Sequence, residues 1–195
     1  MVPKSIGWSL RFRRRVEIVR AITNRNTVLQ WNWIPSNIWV GVGQMTVKQV
    51  TFPLAPIYRR TGIEFHQALA MEIHGAGSRD LPRPFVTIKY TDPERPNQAT
   101  LLEYDYLINA TGPKLNFGAT PGLGPDGHTW SVCTAGHATE TAKAFEDVIG
   151  RLRSGQNQTL LIGMGHGTCT CQGAAFEYTF NVEHELRQRG VRDMA

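Results

Sequence analysis

Apolar residues recur along this chain at two different spacings. Alternation of apolar and polar positions over residues 63–73 and 85–90 predicts two strands, and the run 101–110 predicts a third. Turn-forming residues separate them, at 75–78 and again at 92–93. This stretch is therefore predicted to be a small antiparallel sheet.

Helical spacing takes over further along the chain. Apolar residues over 136–152 predict a helix, for which Thr134 is a suitable N-cap. A second helix is predicted from about 172 to 189, ended by Gly190. Cysteines stand just before both predicted helix starts, which makes the two starts the first candidates for chemistry.

A glycine-rich loop precedes the second helix. Residues 159–162 predict a short buried strand, and the loop then carries Gly163, Gly165 and Gly167. Strand, glycine loop and helix form half of a dinucleotide-binding unit, although the spacing is G-x-G-x-G rather than G-x-G-x-x-G. The predicted strand 101–110 also ends in a tight turn, where ligands sit in open α/β sheets.

The segment 31–43, WNWIPSNIWVGVG, is aromatic, rich in glycine and interrupted by Pro35. We expect an irregular loop here. Tryptophan-rich loops that are held in place usually line a ligand, an interface or the edge of a core.

Composition excludes several classes of protein. The chain has 195 residues, 41% of them hydrophobic and 19% charged, as in ordinary globular proteins. Its mean hydropathy of -0.28 disfavours a membrane span. The net charge of +5 is concentrated in residues 1–25, which hold seven basic residues and one acidic residue. Because that charge is not spread over a folded face, we do not expect nucleic-acid binding.

The basic segment is not a signal peptide, because no long apolar run follows Arg15 and no small-residue cleavage site is visible. We therefore expect the chain in the cytoplasm or at a membrane surface.

Three cysteines, Cys133, Cys169 and Cys171, cannot all pair with one another. They are either reactive thiols or buried small side chains. Cys169, Cys171 and the nearby His166 suggest a zinc site, but a fourth ligand and a second ligand pair are missing, so we predict no metal.

Four stretches resemble the sulfide:quinone oxidoreductases, flavoproteins of the pyridine nucleotide-disulfide oxidoreductase superfamily. They are PSNIWVGVG at 35–43, YDYLINATGPKLNF at 104–117, VCTAGHA at 132–138, and CQGAAFEY at 171–178 followed by RGVRD. Their order and spacing match the family over roughly residues 31–195.

The resemblance implies an α/β fold, an incomplete Rossmann-like flavoprotein of two dinucleotide-binding domains with a small antiparallel β insertion. Residues 1–30 replace the first FAD-binding βαβ unit, 31–130 form the rest of the FAD domain, and 131–195 begin the second nucleotide-binding-like domain. The family's G-x-G-x-x-G opening and long C-terminal half have no counterpart, so we expect a chain truncated at both ends.

The resemblance also assigns candidate catalytic residues. Cys171 matches the family's redox cysteine and Cys133 a second cysteine that assists sulfur handling. Both precede helices, whose free N–H groups and dipole favour a thiolate. His137, four residues after Cys133, and Glu177 are candidate proton carriers. The alternatives are a solvated first-turn histidine and a plain surface glutamate.

FAD is the cofactor that the resemblance implies, with sulfide and quinone as substrates. Full-length members of the family associate with the membrane surface through C-terminal elements. The residues expected to bind FAD are Pro35, Ser36 and Asn37 near the flavin, and Ala110, Thr111, Gly112, Pro113 and Lys114 along the cofactor.

Two other functions remain open. One is an NAD(P)H-dependent flavin oxidoreductase such as a type II NADH dehydrogenase, which needs no thiols. The other is a non-catalytic remnant or interaction module. Because the usual pyrophosphate loop is missing, we expect weak or no FAD retention and no turnover by this chain alone.

Overall fold

The structure is a computed structural model that describes residues 17–20, 30–111, 115–167 and 171–195, with only the backbone for 17–20. Its elements in chain order are β1 (Glu17–Arg20), β2 (Gln30–Asn32), α1 (Asn37–Gly41), α2 (Val47–Val50), β3 (Thr51–Pro53), α3 (Ala55–Thr61), β4 (Glu64–His74), β5 (Phe85–Tyr90), β6 (Ala99–Glu103), α4 (Ala135–Arg153) and α5 (Gly173–Gln188).

These elements form two compact units. The first contains β1 and residues Pro53–Asn109, and the second contains Gln30–Phe52 and Ala110–Ala195. The units reflect packing alone. The domain boundaries implied by the resemblance, at 1–30, 31–130 and 131–195, stay a prediction.

The first unit is a four-stranded sheet in the order β1-β4-β5-β6. β1 runs parallel to β4, whereas β4, β5 and β6 pair antiparallel, with a register shift between Ala70 and Glu72. The predicted strands at 63–73 and 85–90 and the small antiparallel sheet are confirmed. The core of this sheet is formed by Ala68, Val86, Ile88 and Tyr90.

Two predicted strands are wrong in whole or in part. β6 ends at Glu103, and residues 104–110 form no regular element, with Tyr106 91% and Ile108 87% exposed. Residues 159–162 form no regular element, and Leu161 is 99% exposed. A strand needs a neighbour to bond its backbone N–H and C=O groups, and no described strand flanks either stretch.

The segment 31–43 is also more regular than predicted. β2 pairs with β3, a 3-10 turn spans Ile34–Ser36, and α1 follows directly. Pro35 lies at the start of the 3-10 turn, where a missing N–H costs nothing. The expectation of an irregular loop is therefore wrong, because proline here begins a helical turn rather than interrupting one.

The second unit is built on α4 and α5, and α1 packs against both helices. The two helices predicted over 136–152 and 172–189 are confirmed to within a residue or so. Gly190 ends the second one with φ of 67°, a left-handed conformation that glycine adopts readily. None of the described helices has the length and apolarity needed for a bilayer crossing. The main core cluster is Val42, Phe145, Ile149, Leu152, Val182, Leu186 and Val191.

Candidate active site

The start of α4 holds Cys133 in a locally bonded turn. Cys133 is an exposed free thiol one residue before the N-cap, and its backbone N–H donates to Ser131 Oγ at 3.1 Å. The cap residue Thr134 accepts the backbone N–H of His137 on its hydroxyl oxygen at 3.1 Å. The Thr141 hydroxyl donates to the Ser131 carbonyl at 2.7 Å. Hydrogen bonds within ten residues thus define the position of Cys133.

His137 lies in the first turn of α4, and its ring contacts Phe117. The two ring centroids are 5.7 Å apart and the planes are tilted by 54°. Its Nδ1 atom is buried and has no hydrogen-bond partner in the described part of the chain. The role of His137 in proton transfer stays a prediction.

The start of α5 holds Cys171 in a comparable place. Cys171 is an exposed free thiol one residue before Gln172, and no described side chain caps this helix. Glu177 is exposed, and its Oε1 lies 3.9 Å from the position that a Cβ on Gly173 would take. The Glu177 carboxylate therefore reaches back towards Gly173, in the first helical turn.

Gly41, the last residue of α1, lies close to two residues, Val132 just before Cys133 and Tyr178 in the second turn of α5. The Tyr178 hydroxyl donates to the Gly41 carbonyl at 3.1 Å, and burial raises the pKa of Tyr178 to about 12. A Cβ on Gly41 would lie 2.7 Å from Val132 Cγ1 and 3.1 Å from Tyr178 Cε2. The residue before Cys133 and the second turn of α5 thus converge on one glycine.

A pocket of about 440 Å3 opens beside α5. It brings together three residues that the sequence had nominated separately, Pro35 and Ser36 for the flavin and Glu177 for proton transfer. The residues that line it are Trp33, Pro35, Ser36, Ile38, Trp39, Glu177, Phe180 and Asn181.

Asn37, the third residue of the PSN stretch, has a different position from its neighbours. Its side chain is fully buried and exchanges two hydrogen bonds with Asn32, at 2.9 and 3.1 Å. Asn37 is not among the residues that line the pocket. Its amide therefore holds β2 against the start of α1, and its assignment to cofactor binding stays a prediction.

Sequence reasoning missed five residues of the pocket, Trp33, Ile38, Trp39, Phe180 and Asn181. One signal was available, because Asn181 follows Glu177 by four residues and so lies on the same face of the predicted helix. The two tryptophans were noticed only as part of an aromatic loop. No feature of the sequence around residues 31–43 indicated that this segment packs beside α5.

The glycine loop before α5 is shaped by packing. A Cβ on Gly165 would lie 2.3 Å from Leu123 Cδ2, and the Thr120 hydroxyl donates to the Gly165 carbonyl at 2.8 Å. At Gly163 and Gly167 no described atom comes within 4 Å of a Cβ position. Gly165 therefore lacks a side chain because Leu123 occupies the space.

The remaining candidate residues are described only in part. Ala110 and Thr111 are exposed. Gly112, Pro113, Lys114 and Cys169 lie outside the described residues. No group of three or more His, Cys, Asp or Glu side chains suited to a metal occurs within the described ranges.

Comparison with known proteins defines the class first. The structure superimposes on the crystal structure of the sulfide:quinone oxidoreductase from the hyperthermophilic bacterium Aquifex aeolicus with a TM-score of 0.66 and 25% identity, covering 92% of this chain and 35% of that one. The fold is thus a partial α/β fold of the kind found in flavoproteins with two dinucleotide-binding domains, as the sequence predicted.

Sequence comparison then gives the family. The chain is 30% identical over 166 residues to the sulfide-quinone reductase of Aquifex aeolicus (strain VF5), which is 83% of this chain and 32% of the relative. No family model matches the chain. The two matches confirm that the chain is related to the sulfide:quinone oxidoreductase family, although it spans only about a third of the length of these relatives.

Proposed function

We propose that this chain carries part of the active site of a flavin-dependent oxidoreductase that oxidises sulfide and passes the electrons to a quinone. One observation carries the proposal: two exposed free thiols, Cys133 and Cys171, each precede the start of a helix that packs against α1. The relationship to sulfide:quinone oxidoreductases supports it.

Cys171 is the residue that takes up sulfur in this proposal. Its thiolate and HS⁻ form a persulfide anion, with release of one proton and two electrons. The free N–H groups at the start of α5 stabilise negative charge on the sulfur. Glu177, whose carboxylate lies over that same turn, accepts the proton.

Cys133 is the second thiol and His137 its proton carrier. The hydrogen bonds around Ser131 and Thr134 keep the thiol at the protein surface, where a sulfur substrate has access.

When bound, FAD would supply the two-electron acceptor that this chemistry requires between the thiol side and a quinone. The pocket beside α5 suits its ring, because Trp33, Trp39 and Phe180 offer apolar faces for stacking. A pocket of about 440 Å3 also lies within the usual range for small ligands. Pro35 and Ser36 would border the ring, with Ala110 to Lys114 along the rest of the cofactor.

The glycine loop before α5 argues against the NADH-dependent alternative. Backbone approach to a nucleotide pyrophosphate uses glycines whose missing side chains leave space for the ligand. At Gly165 that space is filled by Leu123.

Anaerobic reduction of added FAD tests the proposal. The chain is mixed with FAD, sulfide is added, and loss of the visible flavin band is followed against FAD and sulfide without protein. We expect faster bleaching with the protein, loss of this effect in Cys171→Ser and a partial loss in Cys133→Ser, with circular dichroism verifying the fold of each variant.

Three results would contradict the proposal. Equal bleaching by Cys171→Ser would remove Cys171 from the chemistry. Bleaching by NADH but not by sulfide would favour the NAD(P)H-dependent alternative. No acceleration with either reductant would favour a non-catalytic chain.

A further inference from the structure

We propose that Asn32 and Asn37 are positioning residues of the pocket beside α5, because their paired side-chain amides hold one wall of that pocket in place before a ligand binds. This pocket wall consists of Trp33, Pro35 and Ser36. All three lie in the short segment between the two asparagines. In taking a flavin ring as the ligand, the proposal rests on the proposed function.

The two amides close a ring of hydrogen bonds. Asn32 Nδ2 donates to Asn37 Oδ1 at 2.9 Å, and Asn37 Nδ2 donates to Asn32 Oδ1 at 3.1 Å. Asn32 Nδ2 also donates to the Val50 carbonyl at 3.3 Å. Because the side chain of Asn37 is fully buried, its amide would lose this pairing without water to replace it. A movement that separates the two asparagines is therefore unfavourable.

The segment between the asparagines lies at the surface. Trp33 is 55% exposed and Pro35 is exposed as well, so core packing does not fix these side chains. The backbone N–H of Trp33 donates to the Val50 carbonyl at 2.8 Å, and that of Ser36 donates to the Trp33 carbonyl at 3.0 Å. The amide pair joins the two ends of this turn. A ring that binds here then meets an ordered wall and loses less affinity to ordering the segment.

The chemistry of the amide makes this pairing specific. Each amide carries a donor and an acceptor side by side, so two amides match in a single mutual orientation. An ionised carboxylate in place of one amide has no hydrogen for the oxygen of the other, whereas a protonated carboxyl again has one donor and one acceptor. Neither asparagine lines the pocket, so a substitution at Asn32 acts on a ligand through the pocket wall.

Titration with lumiflavin, an isoalloxazine ring without the ribityl chain, tests the proposal by quenching of the flavin fluorescence. We expect Asn32→Asp to bind about tenfold more weakly than the wild type at about pH 8, where the ionised carboxylate opposes Asn37 Oδ1. At about pH 5 the difference should shrink to about twofold, because burial beside a carbonyl oxygen favours the protonated carboxyl. Comparison with the wild type at each pH cancels the titration of Glu177 in the pocket. Asn157→Asp, at an exposed asparagine outside the pocket, is the matched control and should bind like the wild type at both pH values.

A double substitution separates positioning from stability. In Asn32→Leu/Asn37→Leu both partners become apolar side chains of similar shape, a replacement that leaves the free energy of unfolding nearly unchanged. Contact between apolar side chains has no direction, so it does not fix the pocket wall as the amide pair does. We expect urea unfolding close to that of the wild type and lumiflavin binding about threefold to tenfold weaker.

The proposal fails on any of three results. The pair is structural only if the double variant binds lumiflavin like the wild type. Pairing of donor and acceptor is not what matters if Asn32→Asp shows no loss, or a loss of equal size at both pH values. The pocket is not a flavin site if the wild type does not quench lumiflavin. Because no thiol or sulfide takes part, an affinity that depends on the pair, combined with no effect of Cys171→Ser on bleaching, would overturn the proposed function alone.

Discussion

The two cysteine-bearing helix starts look alike in sequence but are held in place differently. At α4 the chain supplies its own cap, since Thr134 accepts the His137 N–H and Ser131 accepts that of Cys133. At α5 no described side chain caps the helix, and Tyr178 instead anchors it to the Gly41 carbonyl of α1. Local hydrogen bonds therefore position the first cysteine, and tertiary packing positions the second.

This difference has a chemical consequence. The cap at α4 already uses a first-turn N–H group, whereas the N-cap residue of α5, Gln172, makes no such side-chain bond. Free N–H groups at a helix start stabilise an anion. The comparison therefore favours Cys171 over Cys133 as the cysteine that holds the anionic sulfur.

Alkaline pH should loosen the α5 anchor specifically. Because the pKa of Tyr178 is raised from 10.0 to about 12, the unfolded chain loses this proton first, so stability is intact below pH 10 and falls between pH 10 and about 12. The loss should approach about 2–3 kcal/mol, at about 1.4 kcal/mol per pH unit. Urea unfolding across this range should show it in the wild type but not in Tyr178→Phe. Parallel curves for the two proteins would mean that Tyr178 does not anchor α5.

Gly41→Ala should disturb both helix starts at once. The new Cβ would lie 2.7 Å from Val132 Cγ1 and 3.1 Å from Tyr178 Cε2, and such overpacking costs about 2 kcal/mol of unfolding free energy. Gly150→Ala in α4 is the matched control, because no described atom lies within 4 Å of its Cβ position. That variant should gain about 0.5–1 kcal/mol in helix propensity. Equal effects of the two substitutions would show that Gly41 is not a close-packed junction.

Thr134→Ala tests the local cap and should have the smallest effect, a loss of about 1 kcal/mol of unfolding free energy. Thr134→Ser retains the hydroxyl oxygen that accepts the His137 N–H and should retain most of the stability. Chemical denaturation of both variants gives the comparison. If Thr134→Ala is as stable as Thr134→Ser, α4 is positioned by packing, as α5 is, and the contrast between the two helix starts disappears.

Predictions from sequence succeeded where the signal was local and failed where a partner was needed. Helical spacing, the Thr134 cap and Gly190 are read from neighbouring residues, and both helices were predicted correctly. The strands predicted over 104–110 and 159–162 required neighbours that the described chain does not place beside them. Leu160 and Ile162 still pack on the main core but Leu161 is exposed, so the apolar run indicated a contact with the core, not pairing or full burial.

The candidate site shows the same division. The sequence by itself determined which residue types are present at the helix starts, and through short-range hydrogen bonds it determined the position of Cys133. Only the tertiary structure placed Pro35 and Ser36 in one pocket with Glu177. The reason is physical: caps and turns are closed by bonds over a few residues, whereas a pocket depends on packing between segments about 140 residues apart.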